Sequence, residues 1–343
     1  MIDCTVLDEI YRETLKRCAP ERLIARVWRD DFPRTVVAIG KCAGALRDGI
    51  DCDDAFVALP YGYREPTKPA RVVFGTHPQY SEASFEAGRQ LLEFVDRHDD
   101  ITFIISGGGS ACVEVPLREN TVEENRQLIE SGMTIAQINA RRKSMSAIKG
   151  GKLAQRVRGR CVTLVYSDVS RGNLADVASG PTIPGSDEVI LIADNDTLTA
   201  TAAEVARERG LKPTILGDQI ESDVEAAAKQ LANARFDDVL IAGGEVTVTV
   251  HGDGKGGRCS DLALRYLLAG GRHPALFGSS DGADGNSGAA GIELPSNAQF
   301  DRHAIETELA RSNSFPAAAK IGRAIMIPPA GNNLRDLYLL ARG

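Results

Sequence analysis

Five short stretches place charged or hydroxyl residues, in four of them beside glycine, just where an apolar run ends. They are Gly40-Lys41, Ser106 to Ser110, Ser167-Asp168, Gly243-Gly244-Glu245, and Ser279 to Gly285. The second reads Ser106-Gly107-Gly108-Gly109-Ser110 and follows the strand-like Ile101-Thr102-Phe103-Ile104-Ile105. Consecutive glycines let main-chain N–H groups curl toward an anion with no Cβ in the way. Taken alone, such a loop is equally well a flexible turn. Five of them at strand ends imply a ligand cleft with phosphate, cation and hydroxyl partners, because ligands sit at the carboxyl edge of an open α/β sheet.

Each side chain has a chemical use and an ordinary one. Lys41 can neutralise a phosphate or carboxylate as a compact point charge, or simply be a solvated turn lysine. Arg141, Arg142, Lys143, Lys149 and Lys152 cluster beside Gly150-Gly151. A charge run is commonly a solvated helix face, but in an acidic chain it is also a candidate for triphosphate oxygens. Asp168 can hold Mg²⁺, act as a base on an alcohol, or cap a helix. Asp281 and Asp284 are hard oxygen ligands without calcium-loop spacing, so the expected metal is Mg²⁺ held together with substrate phosphates.

Several familiar chemistries are set aside. Gly252, Gly254 and Gly257 satisfy G-x-G-x-x-G, but the preceding Val246 to His251 alternates like a half-exposed strand and Asp253-Gly254-Lys255 reads as a hairpin turn. No acidic residue closes a dinucleotide-binding unit there. The phosphate-loop pattern G-x-x-x-x-G-K-[ST] is absent.

The elements that must position these loops alternate in type. A helix or helix pair is expected over 3–28 and strands over 35–39, 54–59, 71–74, 101–105 and 161–166. Helices are expected over 81–95, 121–131, 196–209 and 223–234. Further strands are expected over 214–216, 238–242 and 275–277, and a helix over 260–268. This alternation predicts βαβ units and an α/β fold with a mainly parallel, doubly wound sheet. A length of 343 residues suggests two domains, and the texture changes near 235. The expected division is therefore 1–235 and 236–343.

Composition narrows the classes. A net charge of −7 argues against nonspecific binding to nucleic acid or an anionic membrane. No apolar run approaches the roughly 20 residues of a membrane helix, and the N-terminus lacks a basic segment followed by an apolar one. Seven scattered cysteines without a C-x-x-C pair suggest reduced thiols and a cytoplasmic location.

Taken as a set, the motifs resemble those of glycerate 2-kinases with a C-terminal MOFRL domain. The residues carrying this are Ser106 to Ala111, Ile138 to Ala154, Ser167-Asp168-Val169 and Ala178-Ser179-Gly180-Pro181-Thr182. Gly40 to Ala43, Thr76-His77-Pro78, Gly243 to Val250, Gly252 to Arg258 and Asp281 to Gly285 follow in family order. The resemblance implies two α/β domains, the first Rossmann-like, with an active site in the cleft between them. It implies phosphoryl transfer from ATP, with Mg²⁺, to the 2-hydroxyl of D-glycerate. Lys41 and Arg258 correspond to the family's basic active-site residues, and the planar fork of Arg258 suits the acceptor carboxylate or the transferred phosphoryl. Ser106, Gly107, Gly108, Gly109 and Ser110 are then expected to cradle phosphate. Lys143, Lys149, Glu245 and Asp281 would line the substrate, with Asp168 as metal ligand or base and Asp284 as a second metal ligand. The expected partner is a small hydroxy acid, with self-association into a homo-oligomer left open.

The chain departs from the family pattern in two loops, and it is shorter than the usual member. Arg258 is followed by Cys259-Ser260-Asp261 instead of Asn-Gln-Glu. Ser170-Arg171-Gly172-Asn173 stands where the family has Pro-Gly-Asp-Asp. Both changes fall where acceptor or metal is expected, so the alternatives are a kinase of a related polyhydroxy acid and a non-catalytic metabolite-binding homologue.

Overall fold

The N-terminal helical stretch breaks in two at Cys18-Ala19-Pro20. Helix α1 (Cys4–Arg17) is capped by Asp3, whose carboxylate accepts from the N–H groups of Thr5 and Val6. Pro20 opens α2 (Pro20–Val27), a position where its missing N–H costs nothing. The computed structural model describes residues 2–118, 121–131, 133, 135–328 and 331–342. Its contacts divide the chain into one unit of residues 19–194 and a second that joins Cys18 and everything before it to residues 195–343.

The unit of residues 19–194 contains β1 (Thr35–Ile39), α3 (Ala43–Asp48), β2 (Asp54–Pro60), β3 (Arg71–Gly75) and α4 (Glu82–Val95). It continues with β4 (Ile101–Ser106), α5 (Gly109–Cys112), α6 (Thr121–Glu130), α7 (Ile135–Met145), β5 (Cys161–Tyr166) and β6 (Glu188–Ala193). The sheet is parallel throughout, in the order β3-β2-β1-β4-β5-β6. Chain order reverses between β1 and β4, the point at which such sheets open a crevice at their carboxyl edge. Val36, Val37, Ala38 and Ile39 are all fully buried, so both faces of β1 are covered, as a central parallel strand requires. On one face, Ala87, Leu91, Phe94 and Val95 of α4 pack with Phe56, Phe103 and Ile105. Their spacing is the stripe an amphipathic helix presents to a core.

The second unit adds α8 (Asn195–Glu208), β7 (Pro213–Ile215), α9 (Val224–Ala232), β8 (Val239–Gly244), α10 (Arg258–Leu268) and β9 (Ala275–Ser279). After these come β10 (Gly291–Leu294), α11 (Arg302–Ala310), α12 (Ser314–Ile321), β11 (Arg323–Ile325) and β12 (Asp336–Ala341). Its sheet runs β11-β10-β9-β12-β8-β7, with β7 and β8 parallel and the other pairings antiparallel. The mainly parallel expectation therefore holds for the first sheet, while the second is mixed. Helix α1 belongs here because Leu7, Ile10, Tyr11 and Leu15 are buried, and the Tyr11 hydroxyl donates to the Ser279 carbonyl at 2.5 Å.

The expected division at 235 is not where the contacts divide. Strand β7 pairs with β8, and α9 packs in the same core as Leu240, Leu262 and Phe277, which ties residues 195–235 to the later chain. The alternating Val246 to His251 forms no strand, only a single bridge from Thr247 to Asp223. Nor is there a hairpin at Asp253 to Lys255. Among the described residues no helix is long and apolar enough to cross a membrane.

Candidate active site

In the parallel unit, the turn after β1 and the turn after β4 are built as one piece. Gly40 has φ +114°, and a Cβ there would meet the Ser106 carbonyl oxygen at 2.4 Å, so only glycine fits. The Lys41 N–H donates to the Gly107 carbonyl at 2.8 Å, and the Cys42 N–H donates to the Ser106 hydroxyl at 3.2 Å. Ser106 in turn donates to the Ile39 carbonyl. This hydroxyl is fully buried and links the two turns, which makes it a scaffold residue more than a phosphate contact. Gly108 has φ +81°, and the stem of Lys41 passes directly over it. The Lys41 ammonium lies 5.8 Å from the centroid of the Tyr63 ring, within range of a cation–π contact.

Ser110 enters a chain of side chains from three segments. Its hydroxyl lies 2.8 Å from that of Ser179, which donates to Asn139 Oδ1 of α7 at 3.0 Å. Ala178, Ser179 and Gly180 all take positive φ, at 51°, 61° and 59°. Non-glycine residues persist there only where surroundings over-determine them. The restraints are visible: Gly150 N–H donates to the Ser179 carbonyl and Gly151 N–H to the Gly180 carbonyl. The basic segment thus contributes its glycines to the site's frame.

Its cations are mostly engaged elsewhere. Lys149 is buried in an ion pair with Glu114, both side chains 1% exposed, and its ammonium lies 5.0 Å from the Tyr80 ring centroid. Lys152 donates to the carbonyls of Lys143 and Ser146. Lys143 pairs with Asp176 at 3.4 Å but stays partly exposed. Of the expected phosphate-binding lysines, Lys143 remains accessible, whereas burial and Glu114 hold Lys149 as a structural charge. Sequence spacing shows the cluster but not which ammonium faces inward.

Asp168 stands half-buried at the carboxyl end of β5, with Ser167 fully covered beside it. The departing loop 170–173 is an exposed turn with Gly172 at φ +91°. Its Asn173 amide donates to Asp176, the partner of Lys143. His77 is exposed on the turn after β3, yet the protein against it and the cations of Lys41 and Arg142 push its imidazole down to about 4. It is therefore neutral at physiological pH.

In the second unit, Arg258 is the first residue of α10. Its Nε and Nη2 donate to the two carboxylate oxygens of Asp336, each at 3.3 Å, and its Nη1 pairs with Glu245. Asp336 is fully buried at the start of β12 and also accepts from the Tyr338 hydroxyl at 3.1 Å. Burial raises its carboxyl to about 6, against the lowering pull of Arg258. Glu245 is shared with Arg335, which donates to it at 3.3 Å and pairs with Glu221 at 2.6 Å. Arg335 itself takes φ +68°. Glu245 is thus a ligand of two arginines.

The loop before α10 is fixed from the Asp281 to Asn286 turn. A Cβ on Gly257 would sit 2.2 Å from Asp284 Oδ1. The Asp284 carboxylate accepts from the N–H groups of Cys259 at 2.8 Å and Ser260 at 3.0 Å. It caps α10, satisfying N–H groups that a helix leaves unpaired and placing negative charge at the positive end of the dipole. Both of its carboxylate oxygens are engaged in that cap. Asp281 accepts from the Ser279 hydroxyl and the Ala283 N–H and shapes its own turn. Gly252 and Gly254 face the Arg311 carbonyl, so the G-x-G-x-x-G match is a packed turn.

Cys259, Ser260 and Asp261 are all buried. The Cys259 thiol is pushed well up by burial, Ser260 lies 3.0 Å from the Ser314 hydroxyl, and Asp261 pairs with Arg265 at 2.5 Å. All three side chains are taken up within α10 and its packing. Among the described residues no group of three or more His, Cys, Asp or Glu side chains could hold a metal ion by itself. Asp336, Arg335, Tyr338, Ser179 and Asn139 received no role from sequence. Asp336 lies 78 residues from Arg258, and its one local signal is a carboxylate opening an apolar run.

Residues 6–208 match the family described as a domain of unknown function, DUF4147, and residues 238–336 match the MOFRL family. The chain is 32% identical over 364 residues to the glycerate 2-kinase of Sulfurisphaera tokodaii, covering 90% of each. It is 30% identical over 381 residues to an Agrobacterium vitis protein named putative hydroxypyruvate reductase, covering 90% of this chain and 99% of that one. The crystal structure of glycerate kinase from Thermotoga maritima superposes with a TM-score of 0.83 at 26% identity, covering 99% of both chains.

Proposed function

Because the chain belongs to the DUF4147/MOFRL glycerate 2-kinase family, we propose that it is an ATP-dependent kinase of a small hydroxy acid, with the 2-hydroxyl of D-glycerate as the favoured acceptor. The supporting observation is the Lys41–Gly108 juxtaposition. It keeps a cation beside a glycine turn that can present N–H groups. Phosphoryl transfer asks little covalent chemistry of a protein, so positioned charge and donors supply most of the rate. In this reading Lys41 and the Gly107 to Gly109 backbone meet the transferred phosphoryl. Arg258 turns its uncommitted N–H groups to the acceptor carboxylate.

Mg²⁺ bound with nucleotide phosphates needs only one or two protein carboxylates. Asp168 fits that requirement at a strand end; Asp284, committed to its helix, does not. When bound, the ion would neutralise charge across the β- and γ-phosphates. Asp168 would otherwise accept the proton of the attacking hydroxyl.

The Agrobacterium name and the strand order, which dinucleotide-binding sheets share, favour a second reading as a reductase. Against it, the turn after β1 is Gly40-Lys41-Cys42-Ala43-Gly44, without the dinucleotide fingerprint. The purified chain should be incubated with ATP-Mg and D-glycerate, erythronate and related acids, and separately with NADH or NADPH and hydroxypyruvate. Phosphorylation of an acid, lost by orders of magnitude in Lys41→Ala and Arg258→Ala, is the expected result. Nicotinamide oxidation with no phosphorylation would transfer the case to the reductase. Ligand-dependent melting shifts without either turnover would indicate a binding homologue.

A further inference from the structure

Arg258 has five N–H donors. One on Nε and one on Nη2 go to Asp336, and one on Nη1 goes to Glu245. The guanidinium is therefore held along its Nε–Nη2 edge and again at Nη1, and one N–H each of Nη1 and Nη2 is left for a ligand. The two holders differ in kind. Glu245 is 35% exposed and shared with Arg335, whereas Asp336 is fully buried and anchored. Tyr338 donates to Oδ2 of Asp336, and the Asn195 side chain donates to the Asp336 backbone carbonyl at 3.1 Å. A carboxylate kept in such a place runs against the cost of desolvation, which Arg258 and Tyr338 repay here.

We propose that Asp336 is a positioning residue for phosphoryl transfer: it grips the Nε–Nη2 edge of Arg258 so that the arginine's remaining donors face the acceptor carboxylate or the transferred phosphoryl. This rests on the role assigned above to Arg258. Planar guanidinium recognition depends on orientation as well as charge, so a released fork loses its aim while keeping its cation. Arg258, Glu245, Asp284, Cys259, Tyr338 and Tyr11 are the titratable and charged groups that bear on Asp336. Among them only Arg258 is positive, so protonation of Asp336 removes the counter-charge that orients it.

The test compares the full-length wild type with Asp336→Asn, Tyr338→Phe and Arg258→Ala. Turnover of D-glycerate with ATP-Mg is followed from pH 5 to 9, and the Arg258 Nε resonance is followed in ¹⁵N-arginine-labelled protein. Asp336→Asn should lower kcat roughly 100-fold, the scale expected for a misplaced group, with KM for ATP little changed. The loss of kcat below about pH 6 should vanish in this variant, and its Arg258 resonance should no longer move with pH. Tyr338→Phe, which leaves the carboxylate in place, should shift that acidic limb upward with a smaller loss. Wild-type kcat and an unchanged acidic limb in Asp336→Asn, with Arg258→Ala inactive, would overturn the positioning role alone. Full activity in Arg258→Ala would overturn both the role given to Arg258 and this proposal.

Discussion

Lys41 lies across Gly108 so closely that a Cβ on the glycine would come within 2.8 Å of Lys41 Cγ and 3.2 Å of Cε. The glycine also takes φ +81°, where a side chain is strained. Gly108→Ala should therefore move the ammonium as well as strain the turn. The expected outcome is a kcat at least about 10-fold lower, with a stability loss of only about 1 kcal/mol. Steady-state kinetics and urea unfolding check it; unchanged kcat would remove the lysine–glycine contact from the site.

Asp284 separates two uses of one carboxylate. As a cap of α10 its loss should cost about 2 kcal/mol, because two helix N–H groups lose their acceptor. As a metal ligand its loss should raise the Mg²⁺ concentration needed for half-maximal turnover. We expect Asp284→Ala to lower the unfolding midpoint and leave the Mg²⁺ requirement unchanged. The opposite pattern would restore it as a ligand.

Lys149 and Glu114 are each 1% exposed, and Glu114 Oε1 has no partner among the described residues. Removing one charge strands the other in the core, so Lys149→Met should destabilise by about 3–5 kcal/mol. The double variant Lys149→Met with Glu114→Leu should recover part of that. A single variant with wild-type stability but a raised KM for ATP would instead favour a phosphate role for Lys149.

Asp336 gives stability a pH dependence. Its carboxyl sits at about 6 in the fold against an ordinary 3.8, raised chiefly by burial. Between those values the folded chain holds a proton that the unfolded chain has released. Stability from this group therefore falls as pH rises through that window and stays low above it. Asp336→Asn, always neutral, should gain on the wild type between pH 4.5 and 7.5 in denaturant titrations. An equal difference at both pH values would contradict the assignment.

Much of this was legible beforehand, for identifiable reasons. Strands β1, β2, β4 and β5 are nearly continuous apolar runs, the signature of a sheet buried on both faces, and glycine follows β1 and β4 and closes β3. Strand β6 follows a turn rich in proline and glycine and alternates at the sheet's edge, which hid it. Val246 to His251 misled in the other direction, since alternation alone forms no strand without a neighbour to pair with. Gly40, Gly108 and Gly257 were visible as glycines, but what each excludes is a close approach from a distant residue. The two readings of Asp284 could not be separated by spacing, because the N–H groups it serves lie more than 20 residues away in the first turn of α10. Asp336 was silent for the same reason.

Helix α1 is made before residues 19–194 and packs with strands made after them. The strand that supplies its hydrogen-bond partner Ser279, and β12 beyond it, leave the ribosome after all of residues 19–194. The parallel unit is therefore complete in sequence while the buried face of α1, with Leu7, Ile10 and Tyr11, is still without its sheet. During synthesis that apolar stripe stays uncovered until the later strands emerge. Truncating the first turns of the chain would leave the parallel unit its own core and deprive only the later one.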